Sequence, residues 1–248
     1  MHCSYSESLA TVCPASPAEM TSPHHHALAT LRGAELGEYL TANSGLPGPR
    51  ANLELVDAFA ATASNEQIRE FSASNDEYLR LCGTVGLAAL VLRGAGDAVL
   101  RLEQNASDSR WRVREGVARA LQFVGDENAE LLRITSNRWA QNRDPLVQRA
   151  AIAAICEPRL LKDPATASLA LELCRRVTVL LAAVPLDGRR RDDVRVLRQA
   201  LGYCWSVAIA AAPAPGLDLF AELEASSDAD LQWVVRENRK KARLQRLL

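Results

Sequence analysis

After His26 the chain contains no histidine: all four, His2 and His24 to His26, fall within the first 26 of 248 residues. This removes imidazole-based catalytic triads and histidine-ligated metal sites from everything that follows. The six cysteines, Cys3, Cys13, Cys82, Cys156, Cys174 and Cys204, include no Cys-x-x-Cys pair, and their scatter predicts buried thiols in a reducing compartment. Proline is sparse beyond residue 50 and no stretch alternates apolar with polar residues, so a β protein is not expected. The longest apolar stretches, such as Tyr203 to Pro213, fall well short of the roughly 18 residues that a membrane span needs. The N-terminus lacks a basic start followed by an apolar block and is not expected to be a signal peptide. The expectation is a cytoplasmic protein with no metal, no cofactor and no membrane partner.

What is present is an ordinary soluble composition, 48% hydrophobic and 24% charged, in a chain long enough for one large domain or an elongated array. The charge is unevenly placed. Residues 1–107 carry 6 basic and 12 acidic residues, a net of −6, and residues 108–248 carry 23 and 18, a net of +5. Such asymmetry suits a surface in the second half that faces a polyanion. It equally suits a composition biased toward Arg over Lys.

Residues 1–26 are rich in Ser, Pro and Ala without periodicity and are expected to be disordered; residues 27–248 are expected to form one helical domain. From Ala27 to Ala42, Leu28, Leu31, Leu36 and Leu40 recur at near-helical spacing. The stretch "NSGLPGPRA" then reads as a rigid turn. Helices are predicted over 52–62, from a Ser64/Gln67 capping box, and from an Asn75 or Asp76 cap through Arg93. Further helices are predicted over 97–106, 108–124, 126–140 and 144–156, each opening on an acidic residue that suits the positive end of the helix dipole. Helices over 165–184, 191–212, 217–225 and 229–247 complete the chain.

Three of these helices share a register. Val113-Arg114 follow Asp108 at five and six residues, Val147-Gln148 follow Asn142 and Val235-Arg236 follow Asp230 at the same offsets, and the first two valines are 34 residues apart. "DDVRVLRQALG" is a weaker fourth copy. An acidic or amide residue, then Val-Arg, then small residues at this period resembles HEAT repeats. The resemblance implies an all-α, right-handed α-solenoid with a concave inner surface. In "DSRWRVREGVARAL", Val113, Val117, Leu121 and Val124 form the expected buried stripe. Trp111, Glu115, Ala118 and Gln122 form a neighbouring stripe, largely surrounded by Arg110, Arg112, Arg114 and Arg119.

The repeat alone does not account for that second stripe. Trp111 followed four residues later by Glu115, "VQRAAI" containing Arg149, and "QALGYCW" containing Tyr203 together resemble the HEAT-like-repeat alkylpurine DNA glycosylases of DNA alkylation repair. Glu115 stands where that family has Asp, and Tyr203 where it has Trp. The resemblance implies Glu115 as the catalytic carboxylate, with Trp111, Arg149 and Tyr203 around the base and its flanking phosphate. Near the C-terminus, Arg236, Arg239, Lys240, Lys241 and Arg243 lie on a helix whose apolar side is Trp233, Val234, Leu244 and Leu247. That helix is either a polar cap on the array or a phosphate-contacting surface. With Arg112, four of these cations, Arg236, Arg239, Lys240 and Arg243, complete the candidate ligand-binding set. The leading expectation is a binding scaffold that presents a basic concave surface to DNA or to an acidic protein; the alternative is a glycosylase or a diverged relative.

Overall fold

The structure, a computed structural model, describes residues 24–248, and all regular structure among them is helical. Fourteen α-helices run in order: α1 (His25–Thr30), α2 (Gly33–Ala42), α3 (Leu53–Thr62), α4 (Asn65–Ser72), α5 (Glu77–Leu92), α6 (Gly96–Ala106), α7 (Trp111–Glu127), α8 (Ala129–Trp139), α9 (Pro145–Ile155), α10 (Pro164–Ala183), α11 (Asp192–Ala211), α12 (Pro213–Glu224), α13 (Ala229–Arg239) and α14 (Ala242–Gln245). Residues 1–23, most of the segment expected to be disordered, lie outside the described residues. No helix among the described residues is long and apolar enough to cross a membrane.

The capping signals act where they are local. Ser64 and Gln67 close a reciprocal capping box on α4. The side chains of Asn52, Asp76, Asn128, Asp144 and Asp163 accept backbone N–H groups at the starts of α3, α5, α8, α9 and α10. Pro145, Pro164 and Pro213 occupy the first helical position, where no N–H is needed. Proline at 213 thus starts α12 four residues earlier than the turn-like "APAPG" suggests. Two expected helices are broken. The chain is extended at Leu31 and Arg32 before Gly33, whose φ of +53° divides α1 from α2, and α13 ends at Arg239 before the single turn of α14.

Every second helix packs on the next: α3 on α5, α5 on α7, α7 on α9, α9 on α11 and α11 on α13. The intervening helices pair with the members of this row, an arrangement compatible with a helical repeat. The shared register has a structural counterpart. Arg114 Nη1 donates to the Asp108 carbonyl at 2.7 Å, and Gln148 Nε2 to the Asn142 carbonyl at 2.6 Å, each across six residues. Asp108 and Asn142 each accept the backbone N–H two residues on, at 2.9 Å, so the turn that precedes α7 is rebuilt before α9.

The expected stripe of Val113, Val117, Leu121 and Val124 is fully buried. The α4 and α5 backbones touch at Gly83, where a Cβ would stand 2.0 Å from the Ser72 nitrogen. Buried Asn238 ties α13 to α11: its amide donates to the Leu201 and Val234 carbonyls, and its oxygen accepts the Ser206 N–H at 2.8 Å. The four described cysteines are buried and unbridged.

Candidate functional site

Trp111 opens α7 and its side chain is half exposed. Four residues on, Glu115 points from the same face, as the 3.6-residue period requires. With Ala118 and Gln122 they line a pocket of ≈ 490 Å³, closed on the other side by Arg50, Ala51 and Leu53. The second stripe of α7 is therefore a pocket wall. The turn "SGLPGPR" is its opposite rim, held there by a hydrogen bond from Arg112 Nη2 to the Gly48 carbonyl at 3.2 Å. Leu53, 46% exposed, adds an apolar surface beside Trp111.

A second pocket, of ≈ 380 Å³, shares Glu115, Gln122 and Ala153 with the first and adds Arg149 of α9 and Tyr203 of α11. Trp111, Glu115, Arg149 and Tyr203 thus line two adjoining pockets with Glu115 in their common wall. Cys156 and Cys204 also line the second pocket. A hydrogen bond with Cys174 and burial push the Cys156 thiol well above its ordinary range, although Cys204 acts in the opposite sense; the hydrogen bond with Cys156 and burial do the same to Cys204.

The side chains meet in a defined way. The Arg149 guanidinium, with only 11% of its side chain exposed, pairs with the Glu115 carboxylate and donates to the Arg114 carbonyl at 3.1 Å. The carboxylate thus faces solvent with a cation paired to it, while the guanidinium lies on the enclosed side of the pair. Burial and the Arg149 charge lower the Arg114 pKa. Arg112 lies over the Trp111 ring, its guanidinium carbon 4.6 Å from the ring centre, and reaches Glu77 at 3.4 Å. Tyr203 carries two cations: Arg243 at 4.9 Å and Lys241 at 5.7 Å from its ring centre, with Arg243 Nη2 donating to the hydroxyl at 3.0 Å.

The rest of the C-terminal cluster is differently disposed. Arg239 pairs with Glu224 at 2.6 Å and Lys240 with Glu237 at 2.5 Å, while Arg236 is exposed on α13. Lys241 and Arg243, beyond the end of α13, are the two cations that join the site. Much of the charge asymmetry is also internally paired. Arg119 meets Asp57, Arg112 meets Glu77 and Arg138 meets Glu103, each joining the basic half to the acidic half. Among the described residues no group of His, Cys, Asp and Glu is arranged to hold a metal ion.

No established family profile matches the chain, and no curated protein does either. Among solved structures, the chain is similar to a crystal structure of an engineered protein at 17% identity, over 90% of this chain and 95% of that one, with a TM-score of 0.36. A likeness of that degree carries no argument here.

Proposed function

We propose that the chain is a HEAT-like α-solenoid that binds DNA by its phosphate backbone, through the surface formed by the first half of α7 with α9, α11 and α14. The observation that carries this reading is the state of the two exposed aromatic rings among the described residues. Each already has a cation over it: Arg112 on Trp111, and Lys241 with Arg243 on Tyr203. An alkylated purine is cationic, and these guanidinium and ammonium groups repel it where the bare ring would attract it. The same groups attract phosphate. Glu115, paired with Arg149, is a weak partner for a cationic sugar, because its charge is already compensated.

A second reading, an alkylpurine DNA glycosylase, is favoured by the position of Glu115 in the wall common to both pockets. The two are separated by measuring duplex binding across a salt series and base release from alkylated DNA with the same preparation. Backbone binding gives affinity that falls linearly in log–log form with salt and no free 7-methylguanine or 3-methyladenine. Base release that is lost in Glu115→Gln and kept or raised in Glu115→Asp establishes the glycosylase instead. Failure to retain duplex at low salt removes DNA and leaves an acidic protein as the partner.

A further inference from the structure

Resting on the DNA-binding reading, we infer that Tyr203, Lys241 and Arg243 form a discrete phosphate subsite at the α11–α14 corner, and that the neighbouring Arg239 and Lys240 take no part in it. The five C-terminal cations look interchangeable in the sequence, but the fold sorts four of them, with Arg236 exposed apart on α13. Arg239 and Lys240 each face a carboxylate within ion-pair distance. Lys241 and Arg243 have no carboxylate at that distance among the described residues. Both lie over the Tyr203 ring, with the Arg243 guanidinium also anchored by the Tyr203 hydroxyl, and the Lys241 charge reaches Glu237 only beyond ion-pair distance.

An aromatic face can hold a cation in place but cannot neutralise its full charge, and two cations on one ring repel each other. An anion bridging both relieves that repulsion. Phosphate offers several acceptor oxygens, matching the guanidinium fork and the ammonium point charge together. The side chains are pre-positioned. Leu244, fully buried, seats α14 against α11, and Asn238 fixes α13 on α11 through Ser206, whose hydroxyl in turn donates to the Tyr203 carbonyl at 2.8 Å. Holding both cations before the ligand arrives lowers the ordering cost of binding. Tyr203 also lines the pocket that holds Glu115 and Arg149, so a phosphate held at this corner lies beside the proposed DNA surface.

The test uses the full chain and two probes. With a short labelled duplex, Lys241→Ala/Arg243→Ala should weaken binding to every sequence alike and reduce the log–log salt slope by about 1 for each phosphate contact removed. Arg239→Ala/Lys240→Ala should leave the slope unchanged. With inorganic pyrophosphate, NMR should show the Arg243 Nε–H and the Tyr203 ring signals shifting in the wild type, and the ring shift disappearing in Lys241→Ala/Arg243→Ala. Melting curves of the variants confirm that they are folded, as expected with Leu244 intact. Duplex binding with an unchanged slope in Lys241→Ala/Arg243→Ala, or pyrophosphate shifts confined to other parts of the chain, overturns the subsite and leaves the DNA reading standing. Pyrophosphate binding here without any duplex binding overturns the DNA reading and keeps the subsite.

Discussion

Glu115→Gln removes one charge from an unequal pair. The Arg149 side chain is 11% exposed and that of Glu115 is 53% exposed. An exposed ion pair contributes about 0–1 kcal/mol, and removing one partner of a fully buried pair costs about 3–5 kcal/mol. Here solvent screens the carboxylate while the guanidinium stays largely enclosed, with the Arg114 carbonyl as its remaining acceptor. An intermediate cost of roughly 1–2 kcal/mol is expected from those limits. For a chain of this size it lowers the melting temperature by roughly 2–8 °C. Urea unfolding should show a lower midpoint with an unchanged slope. Glu115→Gln/Arg149→Met, which removes the enclosed cation as well, should lose less than the sum of the two single variants. A cost below about 0.5 kcal/mol for Glu115→Gln, the range of an ordinary surface change, together with simple additivity, would refute the pairing.

Three further outcomes follow from the packing. Gly83→Ala sets a Cβ against the backbone of Phe71 and Ser72, which no side-chain rotation can relieve, and should cost about 3 kcal/mol in urea unfolding. Asn238→Ala removes the buried amide's bonds to the Leu201 carbonyl and the Ser206 N–H that tie α13 to α11; about 2–3 kcal/mol is expected, measured in the same way. Burial tends to raise the Asp108 carboxyl, but hydrogen bonds from Arg110 and the charge of Arg80 outweigh it and hold the group below its ordinary value. Its stabilisation is therefore complete above the unfolded carboxyl value of about 3.9 and is lost as pH falls through the lower folded value. Asp108→Asn should be less stable than wild type at neutral pH, with the gap closing in that acid range; a gap that stays constant into acid contradicts the assignment.

The legible parts of this protein are those set by local spacing. The 3.6-residue period alone identifies Val113, Val117, Leu121 and Val124 as buried and places Trp111, Glu115, Ala118 and Gln122 together on one wall. Ser64 with Gln67, and Asp144 before Pro145, announce their helix starts because both partners lie within three residues. The breaks at Leu31 and Lys240 were not legible. Neither position carries a proline, and Gly33 marks a break only once its positive φ is known. Acidic residues also mislead where an arginine, near or distant in the chain, is the partner in place of a helix N–H. Asp108 does not cap α7 but binds Arg110 and Arg80, and Asp97 stands inside α6 facing Arg69. The sorting of the C-terminal cations depends on Tyr203, about 40 residues earlier in the chain, and the rim made by Arg50 and Leu53 depends on α7, about 60 residues later. No local pattern encodes either pairing.

If DNA lies along the face carrying Trp111, as proposed, the accessibility of that indole reports it most directly. Trp139 and Trp205 are buried and Trp233 is partly buried, whereas Trp111 is 52% exposed at the rim of the first pocket. Acrylamide quenching of tryptophan fluorescence, compared between wild type and Trp111→Phe, isolates its contribution. Saturating duplex DNA at low salt should protect Trp111 from acrylamide, and added salt should restore quenching as the duplex dissociates. Duplex binding that leaves Trp111 as open to acrylamide as in the free protein contradicts that placement.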